Sequence, residues 1–564
     1  MKRPQLFLYL LGFLLYAFVF FKNAWVGDDA YILFRSLDQL LDGNGPRWNP
    51  HERVQVFTCP LWYWLLACGG LFSRNHYLNS ILLSAACNIL LLWNLHKILG
   101  NAWKWLLAIV MLVFSQAYFD FTTSGLENPL AYCLLSFVVR FYLNIDKSPT
   151  ETTLVRICTA SGLLLVTRHD LSLFVTPLLT HSFYQSKPVS RRMAIPVTLL
   201  LLPLFCWTIF SLIYYGFPFP NTAYAKLGTT IPRTLLLERG YLYFQTSILR
   251  DFPSLFLLPV GILAGCLASN LSVRFIALGI LLHLVYVYWI GGDFMRGRFF
   301  SWDYLLAVII LLYQPATLSG SQFITRTGIS SFLMIFAATI SLKLFWPPPV
   351  ITPFNWGTQP FRIPDTADGI TQERSFYFWF TSLWKYLHRD NELLVDHGWC
   401  QDSIEQKKQG LHVTAAYTVG FRGFCLGNQD IVVDMLGITD PLLARMPRNP
   451  QQQNWRPGHF MRLLPAGYCS SIKQGNNLVA DEDTADFYEK IRLITQSESL
   501  FSGKRLLAIW QMNTGQYSDQ ITRIQNRMTN EFLQDNGKKT QEDAQRDCPF
   551  IELPADVIEQ LKRF

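Results

Sequence analysis

A chain of 564 residues with 51% hydrophobic and 15% aromatic side chains has room for several soluble domains, but its apolar residues fall in blocks over the first 346 positions, which points to a membrane domain. The net charge of +8 is spread over short loops and the tail, with no basic and aromatic array of the kind that binds nucleic acid. No GxGxxG, P-loop, HExxH or nucleophile elbow is present, and Gly420-Phe421-Arg422-Gly423 is too short a glycine pattern to count.

The first predicted element is an apolar helix over 6–26 with one charge, Lys22, near its far end, about the length that crosses a bilayer. Lys2 and Arg3 hold its start in the cytoplasm, and Phe21-Lys22-Asn23-Ala24-Trp25 offers no small-x-small cleavage site, so the span is retained. Directly after it, Asp28 and Asp29 place two adjacent carboxylates at the membrane exit, where one can act as a catalytic base. Tyr31 and Arg35 follow in the same run.

The stretch 59–72 is short for a span and suits an interfacial or re-entrant helix. Further spans are expected over 77–97, 103–119, 128–145, 154–167, 171–185, 193–215, 252–270, 273–290, 299–315 and 327–345, eleven in all. With 59–72 outside, the lysines and arginines of the short loops, among them Lys97, Lys104, Lys147, Arg156, Arg191, Arg192, Arg274 and Arg326, all fall on the cytoplasmic side. The same choice places Gly125-Leu126-Glu127, Arg168-His169-Asp170, the 216–250 loop and Gly291-Gly292-Asp293 outside with Asp28 and Asp29.

Pro347-Pro348-Pro349 breaks the pattern, and 347–564 read as a mixed α/β extracytoplasmic domain, with a strand at 430–434 and helices at 483–495 and 555–564. The predicted division is 1–346, a transmembrane catalytic domain with a first external loop 27–76, and 347–564. Cys400, Cys425, Cys469 and Cys548 lie in the tail; four cysteines allow three pairings and the sequence does not choose.

The outward-facing motifs supply carboxylates, aromatics and cations beside the bilayer, an inventory that suits a lipid-linked, negatively charged substrate. Lys226 in Pro220-Asn221-Thr222-Ala223-Tyr224-Ala225-Lys226, with Arg296 and Arg298 in Gly291–Arg298, can hold a phosphate while a carboxylate takes a proton from an attacking hydroxyl. Lys226 could instead snorkel toward headgroups, and Arg296 or Arg298 could pair with Asp293.

The run from Gly27 to Trp62, with SGLENP at 124–129, TRHD at 167–170, PNTAYAK at 220–226, GGDFMRGR at 291–298 and VVDMLGITDPLLARMP at 432–447, resembles the terminal β-(1→2) arabinofuranosyltransferases of mycobacterial-type cell walls, polytopic GT-C glycosyltransferases. The resemblance runs in order over most of 1–447; beyond about 450 no motif matches. It implies a polyprenyl-phosphate-sugar donor, an acceptor glycan or glycoprotein hydroxyl on the outer face of a bacterial cytoplasmic membrane, and inversion at the anomeric carbon. It also assigns the general base to Asp28, with Asp29 beside it. Glu127, Arg168, Asp170, Asn221, Tyr224, Asp293, Asp434 and Asp440 are the further site candidates, and Gly437 is expected to permit the turn between the last two. The chain departs from the pattern at His169, where relatives commonly have Pro, and at Cys59, where a small polar residue is common. Both bear on acceptor choice more than on reaction class.

A monophosphate donor has less need of a metal than a diphosphate, so the reaction is expected to need no cofactor, with a divalent cation on one of the paired carboxylates as the alternative. Two other functions compete. A GT-C transferase of another polyprenyl-linked sugar fits the same motifs. A lipid-linked-glycan transporter or flippase is disfavoured by the absence of a clear inverted repeat and by charges gathered on one side.

Overall fold

The computed structural model describes residues 3–186, 193–227, 231–313, 369–388, 395–452, 455–534 and 536–548. The expected span 327–345, the triple-proline break with the 346/347 boundary, and the helix expected at 555–564 lie outside these residues. The described chain is mostly helical, with two short strands.

Among the described residues, four helices are long and apolar enough to cross a bilayer: Arg3–Asn23, His76–Leu99, Ala194–Tyr214 and Leu271–Trp289. A fifth crossing results if the bent pair Arg233–Arg250 and Ser254–Cys266 counts as one. On Arg3–Asn23 the exposed side chains include Leu6, Phe7, Leu10, Leu14 and Phe18, so this helix is apolar on its open face as well as its packed one, which only lipid can cover. The chain is a membrane protein. Other expected spans form shorter helices: Ala102–Phe114 and Phe300–Leu312 have 13 residues each, Asn128–Tyr142 and Ser172–Ser186 have 15, and Glu151–Thr167 has 17. At about 1.5 Å per residue they reach roughly 20–26 Å, less than a hydrocarbon core. One shortening has a visible cause: Ser115 ends Ala102–Phe114, and its hydroxyl caps the next turn by accepting from the Tyr118 N–H.

The chain folds as two compact units, each assembled from separate stretches: Met1–Gly27, Ser80–Leu204 and Pro232–Asp390 in one, and Asp28–Asn79, Phe205–Ile231 and Asn391–Phe564 in the other. The division cuts the expected first external loop at Gly27.

In the first unit, Leu271–Trp289 packs on Ser172–Ser186, and Asn128–Tyr142 packs on Glu151–Thr167. Gly261 and Gly265, four residues apart on one helix, let backbones meet closely: a Cβ at Gly261 would stand 2.6 Å from Ala307 Cβ, and one at Gly265 2.6 Å from Ala277 Cβ. Helices in lipid gain from such small-residue packing because no hydrophobic effect drives them together. The end of the first helix is tied down by polar bonds. Trp25 Nε1 donates to Asp120 O at 2.7 Å, and Gly27 N donates to Ser124 O at 2.9 Å.

In the second unit, β1 (Val413–Ala416) pairs in parallel with β2 (Ile431–Asp434), and the helix Gly420–Leu426 makes the crossover between them. Val433, Met435, Leu442, Leu443, Phe487, Ile491, Ile494 and Ile524 form its core. The expected strand at 430–434 and helix at 483–495 are present as β2 and Glu482–Gln496, whereas the 216–250 loop contains the helices Asn221–Leu227 and Arg233–Arg250. Cys400 is bonded to Cys425 and Cys469 to Cys548, with Cα separations of 5.3 and 5.7 Å.

Candidate active site

Three sequence motifs of the first unit meet in one ion cluster. Glu127 stands just ahead of Asn128–Tyr142, Arg168 closes Glu151–Thr167, Asp170 lies in the short turn His169–Leu171, and Arg298 precedes Phe300–Leu312. Arg168 grips Asp170 with two parallel bonds, Nε to Oδ1 at 2.9 Å and Nη2 to Oδ2 at 2.6 Å, and its Nη1 reaches Glu127 Oε1 at 2.7 Å. Arg298 Nη2 donates to the same Glu127 oxygen at 3.0 Å. The Arg168 guanidinium also lies over the rings of Trp302, 4.7 Å away, and Phe299, 5.3 Å away.

Burial alone would raise the Glu127 carboxyl, but the Arg298 and Arg168 charges outweigh it and hold Glu127 below the ordinary carboxylate range. Asp170 is likewise held low against burial, chiefly by Arg168. Burial works against the Arg168 cation, yet Asp170 and Glu127 raise its pKa above the usual value. Two guanidiniums thus meet two carboxylates in a place nearly closed to water.

Asp293 and Arg296 share the loop with Arg298 but engage other partners. The Asp293 carboxylate accepts from the Phe294 N–H at 2.8 Å, and Arg296 Nη2 donates to Ile370 O at 3.1 Å.

In the second unit, Asp28, Tyr31 and Arg35 share one face of the helix Asp28–Leu41, and this face docks on Gly420–Leu426. Asp28 accepts the N–H groups of Gly420 at 3.2 Å and Phe421 at 2.7 Å, so both its oxygens are engaged by backbone. The Tyr31 ring sits edge-on to Phe421 and Phe424. Arg35 is fully buried, stacks on Trp48 at 4.5 Å and donates to Gly423 O at 2.9 Å; burial pushes its pKa down to about 9, with Asp430 opposing. Tyr31 and Arg35 thus serve to join two helices. Asp29 is the more exposed of the acidic pair.

Asn221 pins the segment after β2, its amide donating to Gly437 O at 2.8 Å and Asp440 O at 2.9 Å. Asp434 accepts from the N–H groups of Leu436 and Thr439, and Asp440 from those of Leu442 and Leu443 and from the Tyr468 hydroxyl. Between them Gly437 takes φ +71°, the expected left-handed turn. Both carboxyls are buried, and burial raises Asp434 to about 6 and Asp440 to about 7. A third buried carboxyl, Glu52, is also raised well above its usual value, by burial and then by Asp440. Tyr224 lies against the Arg445 guanidinium at 4.5 Å. Lys226 is exposed at the end of its helix, and its methylene chain passes so near Gly458 that a Cβ there would come within 2.5 Å.

Sequence reasoning passed over Gly420 and Gly423, whose missing side chains admit the docking helix: a Cβ at Gly420 would stand 2.0 Å from Asp28 O, and one at Gly423 2.4 Å from the Trp48 ring. Among the described residues, no three His, Cys, Asp or Glu side chains converge to hold a metal ion.

No family model matches the sequence. The chain is 27% identical over 536 residues, covering 79% of its own length and 82% of the relative's, to a terminal β-(1→2)-arabinofuranosyltransferase of Mycobacterium tuberculosis (strain H37Rv). It is 24% identical over 413 residues, 64% of this chain and 56% of the relative, to the protein of the same name from Corynebacterium glutamicum. With this likeness covering most of its length, the chain is a glycosyltransferase related to the terminal β-(1→2)-arabinofuranosyltransferases.

Proposed function

We propose that this protein is an inverting membrane glycosyltransferase that moves arabinofuranose from a polyprenyl-phosphate donor to a glycan or glycoprotein acceptor outside the cytoplasmic membrane. The observation that carries the reading is the single cluster made by Glu127, Arg168, Asp170 and Arg298, residues from three separate motifs. The two disulfides of the second unit support an oxidising, external setting.

In this reading the donor phosphate takes the place of part of the carboxylate coordination on Arg298 and Arg168, whose forks match phosphate oxygens, with Lys226 and Arg296 as further cations. The acceptor oxygen bonds to the anomeric carbon as the sugar–phosphate C–O bond breaks. The polyprenyl phosphate leaves with that electron pair, and the acceptor proton passes to a carboxylate. Asp29, the more exposed of the acidic pair, is the base in this reading, and Asp28, whose two oxygens accept backbone N–H groups, fixes the start of its helix. Asp434 and Asp440 shape the segment bordering the acceptor path. No step requires a metal.

Incubation of the purified protein with synthetic polyprenyl-phosphoryl-arabinofuranose and a panel of acceptors tests the proposal. A product whose anomeric configuration is inverted relative to the donor supports it; hydrolysis without transfer, or transfer only from another polyprenyl-linked sugar, contradicts it.

A further inference from the structure

Behind Arg168, inside the apolar helices, lies a second polar group that the proposed chemistry does not use. His283 on Leu271–Trp289 and Asp303 on Phe300–Leu312 are both fully buried, with His283 Nδ1 2.8 Å from Asp303 Oδ2. Trp302, the neighbour of Asp303, is also fully buried, and its Nε1 lies 3.2 Å from His283 Nε2.

An indole N–H can only donate, so Nε2 must be the acceptor; the imidazole is then neutral and Nδ1–H donates to Asp303. The three side chains form one directed chain, from the Trp302 N–H to His283 and on to the Asp303 carboxyl. Asp303 Oδ1 is buried and makes no hydrogen bond among the described residues. Ionisable groups held this deep in apolar helices are costly, and an apolar trio would join the same helices without that cost. The chain ends on the Trp302 ring, which lies against the guanidinium of Arg168.

We propose that His283 and Asp303 are positioning residues: they lock the Trp302 indole as the platform for Arg168 and so keep its guanidinium aimed at Glu127 and at a bound phosphate. This rests on the reading of the cluster as the donor-phosphate site.

The test uses the full-length protein in detergent with the polyprenyl-phosphoryl sugar as donor, measuring kcat, donor KM and thermal unfolding in parallel. His283→Asn keeps a donor toward Asp303 but withdraws the acceptor from Trp302, and should raise donor KM about tenfold with little change in kcat. His283→Gln carries an oxygen near the Nε2 position and should restore KM to within about threefold. Adding Trp302→Phe to His283→Asn should cost less than the sum of the two single changes, since both remove the same hydrogen bond and only the ring change alters the platform under Arg168. Equal effects of His283→Asn and His283→Gln, or a KM change that tracks thermal stability across the set, would overturn the proposal. Arg168→Ala separates the two levels. If it abolishes donor use while His283→Asn is normal, the positioning role alone fails; if Arg168→Ala transfers normally, the site reading falls and the positioning role with it.

Discussion

Arg298→Ala removes one of the two guanidiniums that share Glu127. The native pair is 3.0 Å long between a guanidinium side chain 12% exposed and a carboxylate 2% exposed, so it is not a surface pair worth under about 1 kcal/mol. In the proposed site this fork also meets the donor phosphate. Truncating one partner of such a desolvated charged pair costs about 2–5 kcal/mol, which raises the donor dissociation constant roughly 30-fold to several thousandfold. The fold is expected to tolerate the change better than binding does, because Glu127 keeps Arg168 at 2.7 Å and is not left alone. Arg298→Lys, which retains the charge without the fork, should fall between wild type and Ala. Titration of the purified variants with a non-transferable polyprenyl-phosphate analogue, followed by calorimetry, measures the effect. A monodisperse Arg298→Ala protein that binds the analogue within about twofold of wild type would refute the assignment.

Asp29→Asn should lower turnover by roughly 10²–10⁴-fold while analogue binding survives; Asp28→Asn, which sets an amide against the Gly420 or Phe421 N–H, should instead cost about 1–3 kcal/mol of stability with a smaller loss of turnover, and the reverse pattern would return the base to Asp28. For Asp434 and Asp440 the folded pKa values, about 6 and about 7, lie above the ordinary value of 3.8, so the folded state binds more protons between these limits and the second unit should lose stability as pH rises from about 4 to 7. Asp440→Asn should flatten that slope in thermal unfolding scans, and an unchanged slope would remove the residue as its source. Replacing Cys469 and Cys548, 79 residues apart, by serine should cost about 4.5 kcal/mol and Cys400 with Cys425, 25 apart, about 3.5 kcal/mol on the loop-entropy relation, read as a larger drop in unfolding midpoint for the first pair.

The motifs were legible in the sequence because polar residues stand out where apolar helices end, and Glu127, Arg168, Asp170 and Arg298 do come together. What each residue does there was less legible. Tyr31 and Arg35 carry chemistry-bearing side chains, yet their spacing on one helix face directs them into a neighbouring helix, and no local pattern distinguishes that face from a ligand-facing one. Asp434 and Asp440 are expected from the sequence to border the acceptor path; that both are buried and bonded to the N–H groups of the following turns, and Asp440 to the Tyr468 hydroxyl, is not legible locally because these partners come from later parts of the chain.

The span count was the hardest quantity to read. Hydropathy marks apolar stretches but not where a residue such as Ser115 ends the helix, so Ala102–Phe114 and Phe300–Leu312 have 13 residues each where spans over 103–119 and 299–315 were expected. Two signals were present and passed over. Gly261 and Gly265 carry a small-xxx-small spacing, and His283 and Asp303 are ionisable residues inside predicted spans.

The most direct measurement is the product formed by the purified full-length protein from polyprenyl-phosphoryl-arabinofuranose and an oligosaccharide acceptor, with the new linkage assigned by NMR and the reaction repeated with Asp29→Asn and Arg298→Ala. The account predicts an arabinofuranose at the acceptor terminus, inverted in anomeric configuration relative to the donor, with wild type, and little or none with either variant. Transfer that persists in both variants, or a protein that binds the donor and moves no sugar to any acceptor, would contradict it.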